Sequence, residues 1–412
     1  MKKISYPELL RLLFRAYKKC LRNKTHIRLT AFHLHHEHNL SLLAMEILRG
    51  QYKPHPSSVF VVTHPKAREI VAAEIRDRVV HHLIYDHMES YWERRFDSRS
   101  YACRPGKGTL NSTRDLRSFI AGHRAHSPHP LWYLKVDIKA FFPSIDRKIL
   151  ADLILPKIKN PMFQKLVATT IDHNPVAPGN FFLRCSRQMM DLVPPHKSLF
   201  TVPPGKGIPI GNLTSQFFAN IYMNELDQFI ARRMQPRPLY WQRYVDDIVC
   251  LDTDPKNLHA IAEKIELFVI DRLSLSLHPQ KTVIQPLSKG LDHLGYFHLP
   301  NRTYPRRRVL KAVHHRVQMA LRGPTPRHTP CTRQHRLLAG INSYLGHFGH
   351  ADAYRIKKSI CLTLAAASSA PDMNLNIAVA PDFSSLRDLN AKREREKVLN
   401  RSITDEFNAL II

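Results

Sequence analysis

An α+β fold, an antiparallel sheet covered by helices on one face, is what this sequence predicts, and three observations carry that expectation. The stretch WYLKVDI (132–138) alternates apolar and polar side chains with the period of a strand. RYVDDIVCL (243–251) reads as two apolar strand halves around a central pair of aspartates, a β-hairpin whose turn presents Asp246 and Asp247 to solvent. The segments 212–233 and 257–273 carry apolar residues at helical spacing, so the order runs helix, strand, helix, hairpin, helix.

Taken in order, MKKISYPELLRLLFRAYKKCLRNK begins with lysines as a signal peptide does. Arg11 and Arg15 interrupt its apolar stretch and no small-residue cleavage site follows, so it reads as an amphipathic basic helix. In FHLHHEHN (32–39), His33, His36 and Glu37 stand near helical spacing, but no further ligand completes a metal site and the reading is an ordinary exposed helix. Residues 68–95 place Val71, Ile75, Val79, Leu83 and Met88 near helical spacing beside Arg68, Arg76 and Arg78, which predicts a basic amphipathic helix. In 132–138, Leu134, Val136 and Ile138 oppose Lys135 and Asp137, and Asp137 falls at the strand end. Segment 212–233 shows the broad stripe of a buried helix through Leu213, Phe217, Ile221, Phe218, Tyr222, Leu226 and Phe229. Leu258, Ile261, Ile265 and Phe268 give 257–273 the same character. Residues 296–322 are strongly basic, a helical pair is expected from about 332 to 366, AAASSAPDMN (365–374) reads as a linker, and a tail runs to Ile412.

The 412 residues hold 62 Lys and Arg against 34 Asp and Glu, a net charge of +28 that points to a polyanionic partner, nucleic acid before any other. No apolar segment has the length needed to span a bilayer, and the basic residues are spread along the chain, so a membrane ranks low. The six cysteines are scattered without a CxxC pair, which argues against a zinc ribbon or a disulfide framework and fits a reducing cytoplasm.

Two carboxylates inside an apolar run need a reason. Asp137 ends one strand and Asp246 with Asp247 sits in a hairpin, so strands adjacent in one sheet would bring the three acids together. Oxygen-only clusters suit hard divalent cations such as Mg²⁺. Two such ions can activate an attacking hydroxyl and stabilise the leaving oxygen of a phosphoryl displacement.

LKVDIKAFFPSID (134–146), GIPIGNLTSQFFANIYMNELD (207–227), RYVDDIVCL and LSLHPQKTVIQPL (275–287) resemble, in order and spacing, successive palm motifs of reverse transcriptases. AREI with RDRVVHHLI, and FDSRSYACRPGKGT (96–109), look like their fingers motifs, and the resemblance covers about residues 60–300. It implies a right-hand polymerase: an N-terminal basic helical extension over 1–59, fingers and palm over 60–290, a helical thumb over 291–365 and a C-terminal tail over 366–412. It implies that Asp137, Asp246 and Asp247, with the Ile138 carbonyl, hold two Mg²⁺, for which Mn²⁺ could substitute. Phe142 takes the place of an aromatic sugar gate, with Phe141 in the core. Arg104 and Lys107 approach the incoming triphosphate, and Ile210 and Gly211 line the nascent base pair. Lys281 either protonates the pyrophosphate leaving group or neutralises phosphate charge. Ser215 and Gln216 either cap the following helix or touch the template. Tyr244, Arg306, Arg307 and Arg308 bind template and primer, which implies strong salt dependence.

One departure narrows the resemblance. Group II intron enzymes usually carry Gln-Gly followed by Ser-Pro in the third palm block; this chain has Ile210-Gly211 followed by Ser215-Gln216. Together with PPHKSLF (194–200), that block resembles the reverse transcriptases of diversity-generating retroelements. The resemblance implies copying of a template-repeat RNA into cDNA with errors at adenines, from RNA template, DNA or RNA primer and dNTPs, with a small basic accessory protein as partner. The rivals are an intron-type reverse transcriptase with maturase activity and a non-catalytic or untemplated RNA-binding relative.

Overall fold

The computed structural model describes residues 4–22, 31–64, 66–321 and 330–368. The chain forms two compact units, Met1–Ser112 with Trp132–Gln285, and Thr113–Leu131 with Pro286–Ile412.

The first unit opens with α1 (Tyr6–Leu21), whose Leu9, Leu13, Ala16, Tyr17 and Cys20 recur every three or four residues and are buried. The short α2 (Ala31–Leu34) and α3 (His36–Leu48) follow. β1 (Ser57–Val62) and β2 (Arg68–Ala72) pair antiparallel, and α4 (Ile75–Glu93) comes next. The apolar faces of α1, α3 and α4 share one core with the rest of the unit, so the described residues of the N-terminal basic helical extension expected over 1–59 pack into that core. The helix expected over 68–95 is likewise corrected. Its first five residues are β2, because Ile70 and Val71 are β-branched and find partners in Phe60 and Val59 of β1; the helix begins only at Ile75.

After α5 (Thr109–His126), which from Thr113 on belongs to the second unit, β3 (Trp132–Asp137) enters the central sheet. There follow α6 (Phe141–Ser144), α7 (Arg147–Ile154) and α8 (Pro161–Asp172), the last two capped by Asp146 and Asn160, whose side chains accept backbone N–H bonds. The segment before the next long helix holds β4 (Phe181–Leu183), which joins β1 in parallel, and α9 (Arg187–Met190). α10 (Leu213–Gln228) is buried on nearly every side, as its broad apolar stripe predicts. β5 (Tyr240–Tyr244) and β6 (Asp247–Asp252) form the expected hairpin, α11 (Pro255–Leu273) returns to helix, and β7 (Val283–Pro286) completes a sheet of order β5-β6-β3-β7.

From Pro286 on, the second unit holds first a meander of three-residue strands, β8 (Leu291–His293), β9 (Tyr296–His298) and β10 (Thr303–Pro305). α12 (Arg307–Leu321), α13 (Pro330–Phe348) and α14 (Tyr354–Ser368) then pack around Leu310, Val313, Val317, Ile341, Phe348 and Ile360. α5 is part of this unit, its Arg117 donating to the His350 carbonyl at 2.6 Å. The purely helical reading of 291–365 is therefore corrected at its start; strands this short leave no period to read. The expected tail lies, from residue 369 on, outside the described residues.

His81 of α4 lies at the wall of a cavity of about 40 Å³ that Asp77, His173, Asn212, Ile208 and Phe218 also line, and its Nδ1 and the His173 Nε2 have no hydrogen-bond partner among the described residues. Burial, then the charges of His82, Arg78 and His173, lower its pKa from 6.5 to about 3. Folded protein holds His81 neutral where unfolded chain would take up a proton, so stability is full above pH 6.5 and is lost as pH falls toward about 3. The urea midpoint should fall across that window, and the fall should be shallower in His81→Leu; equal slopes in both proteins would assign the acid sensitivity elsewhere.

Candidate active site

The site is built on the turn between β5 and β6. Cross-strand register pairs Tyr244 with Asp247, and Asp247 in turn with Asp137 of β3. Residues directly opposite in an antiparallel pair share a face, so the Asp137 and Asp247 side chains stand on the same face of the sheet, with Asp246 in the adjoining turn. Two residues, Val245 and Asp246, make the connection, and Val245 takes a left-handed backbone, φ 56°, that a β-branched residue adopts only under constraint.

The constraint is Arg243, whose side chain is fully buried. It forms a bidentate pair with Asp227 of α10, 2.7 Å from Nε and 2.5 Å from the terminal nitrogen. It also donates to the Val245 carbonyl at 2.9 Å and to Ser100 Oγ at 2.9 Å. Burial pushes the Asp227 carboxyl up and the guanidinium holds it down. This pair was missed in the sequence, where the signal was a lone arginine inside an apolar strand and a lone aspartate on the apolar side of a helix.

Asp246 is not presented to solvent as expected but lies half-buried. Its pKa is raised to about 6, first by burial, then by the charges of Asp247 and Asp137, against the opposing pull of its own backbone hydrogen bond and of Arg68. Three acids that repel one another in this way, all with oxygen donors, are the chemistry a divalent cation relieves. Among the described residues, however, no three His, Cys, Asp or Glu side chains are drawn together as ligands. Asp137 Oδ2 accepts a hydrogen bond from Lys281 Nζ. Ile138 is bridged to Leu277 by bonds that use the Lys139 N–H and the Asp137 carbonyl, not its own polar groups.

The remaining expected residues divide. Phe141 is core, and Phe142 is half-buried on α6, edge-on to it at 5.3 Å between centroids. Gly211 is held against β2: at φ 126°, a Cβ there would lie 3.0 Å from Ile70 Cγ2 and from the Val71 carbonyl oxygen. The Ile210 carbonyl accepts the Val71 N–H. Ser215 is buried in the first turn of α10, whose N-cap position is Asn212, while Gln216 is exposed. Tyr244 is half-buried beside the turn. Arg104, expected to approach the incoming triphosphate, pairs with Glu93 at the end of α4 at 3.0 Å and donates to the Asp97 and Ser100 carbonyls. Lys107 donates to the Ser98 carbonyl and lies over the Tyr101 ring. Arg306 pairs with Asp292 in the second unit, where Arg307 and Arg308 are exposed at the start of α12. Arg68, read in the sequence only as part of a basic helix face, is instead the cation of β2 whose charge reaches Asp246.

A family model described as reverse transcriptase (RNA-dependent DNA polymerase) matches residues 63–298. The chain belongs to the reverse transcriptase family. Its architecture is α+β, with antiparallel pairing throughout the central β5-β6-β3 hairpin and strand. Among curated relatives, Protein YkfC of Escherichia coli (strain K12) is 23% identical over 307 residues, 66% of this chain and 75% of that one. Group II intron-encoded protein LtrA of Lactococcus lactis subsp. cremoris is 21% identical over 323 residues, 63% of this chain but 49% of its own length. Telomerase from Candida albicans, solved with a fragment of telomeric RNA, aligns with a TM-score of 0.45 at 10% identity, over 77% of this chain and 56% of that one. Within the reverse transcriptase domain, the buried pair is the most exacting element. Arg243→Ala should lose about 3–5 kcal/mol in urea unfolding by leaving Asp227 charged and unpaired. The double variant Arg243→Met, Asp227→Leu should recover most of it; a single variant as stable as the parent would show the pair to be dispensable.

Proposed function

We propose that this chain is an RNA-directed DNA polymerase that joins the 3′-OH of a DNA or RNA primer to the α-phosphate of a dNTP on an RNA template. The observation that carries the reading is the cross-strand pairing of Asp137 with Asp247, with Asp246 next to Asp247 in the turn between β5 and β6. Two Mg²⁺ ions, when bound by Asp137, Asp246 and Asp247 with the Ile138 carbonyl, supply activation of the attacking hydroxyl and charge stabilisation at the leaving oxygen, and Mn²⁺ can replace them. Lys281 holds a proton at Nζ against Asp137 and gives it up toward the pyrophosphate. Arg68 faces the triphosphate as the counter-charge that Arg104 is not free to provide. Phe142 closes on the sugar and excludes a ribose 2′-OH by contact. Gln216 and Tyr244 meet template and primer, and Arg306, Arg307 and Arg308 contribute positive charge to phosphates.

The retroelement subtype, with errors at template adenines, is supported by Ile210. An aliphatic side chain offers no hydrogen bond to brace the incoming nucleotide, so mispairs are penalised less than with glutamine. That reading brings a template-repeat RNA and a small basic accessory protein as partners, in the cytoplasm. The intron-type reading is favoured by the similarity to LtrA. Among the described residues no helix is long and apolar enough to cross a membrane.

Primer extension on a defined RNA should give templated cDNA that chelation abolishes. Asp246→Ala and Asp247→Ala should each reduce it about a thousandfold, the scale of several kcal/mol of charge stabilisation. RNA binding without synthesis would support the scaffold instead. Sequenced cDNA should carry its errors at adenines, and equal fidelity at all four bases would move the assignment to the intron type. Phe142→Ala should admit ribonucleotides.

A further inference from the structure

β1 is flanked by β2 on one side and β4 on the other, and the two faces of this three-stranded sheet differ in character. Val59 and Val71 point to one face, where they are buried with Leu199 under the chain between α8 and α10. Register places the alternate residues on the other: Arg68 opposite Val62, Ile70 opposite Phe60, and Ser58 opposite Phe182. Val62 and Phe182 are exposed, Phe182 at 50%, and Phe60 and Ile70 are half-buried. Arg184, two residues after Phe182, lays its guanidinium 5.7 Å from the Phe182 ring centroid. One end of this open face is Arg68, whose charge reaches Asp246, and the other is the Phe182–Arg184 pair.

An aromatic ring and a cation side by side on an otherwise uncovered strand match the two needs of a single-stranded nucleic acid, a stacking surface for a base and a counter-charge for its phosphate. The local charge agrees: residues 173–206 hold Arg184, Arg187, Lys197 and Lys206 against Asp191 alone. A basic protein partner would be repelled there. We propose that β4 extends the fingers sheet into a landing strip for the unpaired RNA template upstream of the active site, with one base stacked on Phe182 and an adjoining phosphate on Arg184. This rests on the polymerase reading, in which an unpaired template must approach the aspartates.

The test uses full-length protein and measures equilibrium binding, without catalysis, of labelled primer–RNA hybrids that are either blunt or carry an unpaired template overhang. The overhang should tighten binding to the parent protein. Phe182→Ala should lose about tenfold of that gain, the scale of one base–aromatic stack, and bind the blunt hybrid unchanged. Phe182→Tyr should restore the gain and Phe182→Leu should not, and matched thermal unfolding of all four proteins would exclude misfolding as the cause. An overhang gain that survives Phe182→Ala overturns the proposal and leaves β4 as an edge for a protein partner. Primer extension by the parent protein decides the polymerase reading separately, since overhang binding does not depend on turnover.

Discussion

The arrangement of the active-site turn depends on a charge buried where water cannot reach it. Arg243 is 1% exposed and Asp227 fully enclosed, and the guanidinium joins three separate stretches of chain: α10 through Asp227, the loop before α5 through Ser100, and the turn through the Val245 carbonyl. Burying an ion pair gives little net stability compared with an apolar pair of the same size. What it gives is geometry. A bidentate fork holds its carboxylate in one orientation, and that orientation aims a terminal N–H at the carbonyl of the left-handed Val245. The strained residue sets where Asp246 and Asp247 stand, so a clamp some residues away from the carboxylates determines their position.

The same low-dielectric surroundings explain the electrostatics. Apolar strands hold the acids rigidly but solvate them poorly, and burial, with the charges of Asp247 and Asp137 added to it, is why Asp246 rises to about 6. The chain answers with cations of its own: Lys281 on Asp137, and Arg68 facing Asp246. In this state the protein neutralises part of its own site. A divalent cation held by Asp137 would have to compete with the Lys281 ammonium for that carboxylate.

The central hairpin and the strand ending in Asp137 were legible because a half-buried strand writes its alternation into the sequence, and α10 and α11 because their stripes are long. What was not legible depends on partners distant along the chain. Ile70 and Val71 fit a helix begun at Ile75 until β1 pairs with them. Arg104 in a glycine-flanked turn reads as a phosphate cradle until Glu93, brought beside it by the end of α4, takes its guanidinium. Ser215 reads as a cap because it opens an apolar run, yet Asn212 holds that place, its side chain accepting instead from the Ala73 N–H. In each case local chemistry was read correctly and a tertiary contact gave the residue another use.

β2 shows how closely those contacts bind the site to its surroundings. In five residues, alternate side chains serve different neighbours. Glu69 is buried and accepts from Ser198 Oγ at 2.7 Å and from the Leu199 N–H at 3.2 Å, which fixes the PPHKSLF loop, while burial raises its carboxyl and these bonds lower it. Val71 donates its N–H to Ile210, and Gly211 presses on the same two residues, Ile70 and Val71, with no room for a side chain. Arg68 and Ile70 stand on the opposite face of the strand, and the Arg68 charge reaches Asp246. The PPHKSLF loop and the Ile210-Gly211 step, which both belong to the sequence block that resembles the retroelement enzymes, therefore meet on one short strand. A change in either one alters the footing of the other, so a substitution at position 210 cannot be treated as independent of the loop that Glu69 anchors.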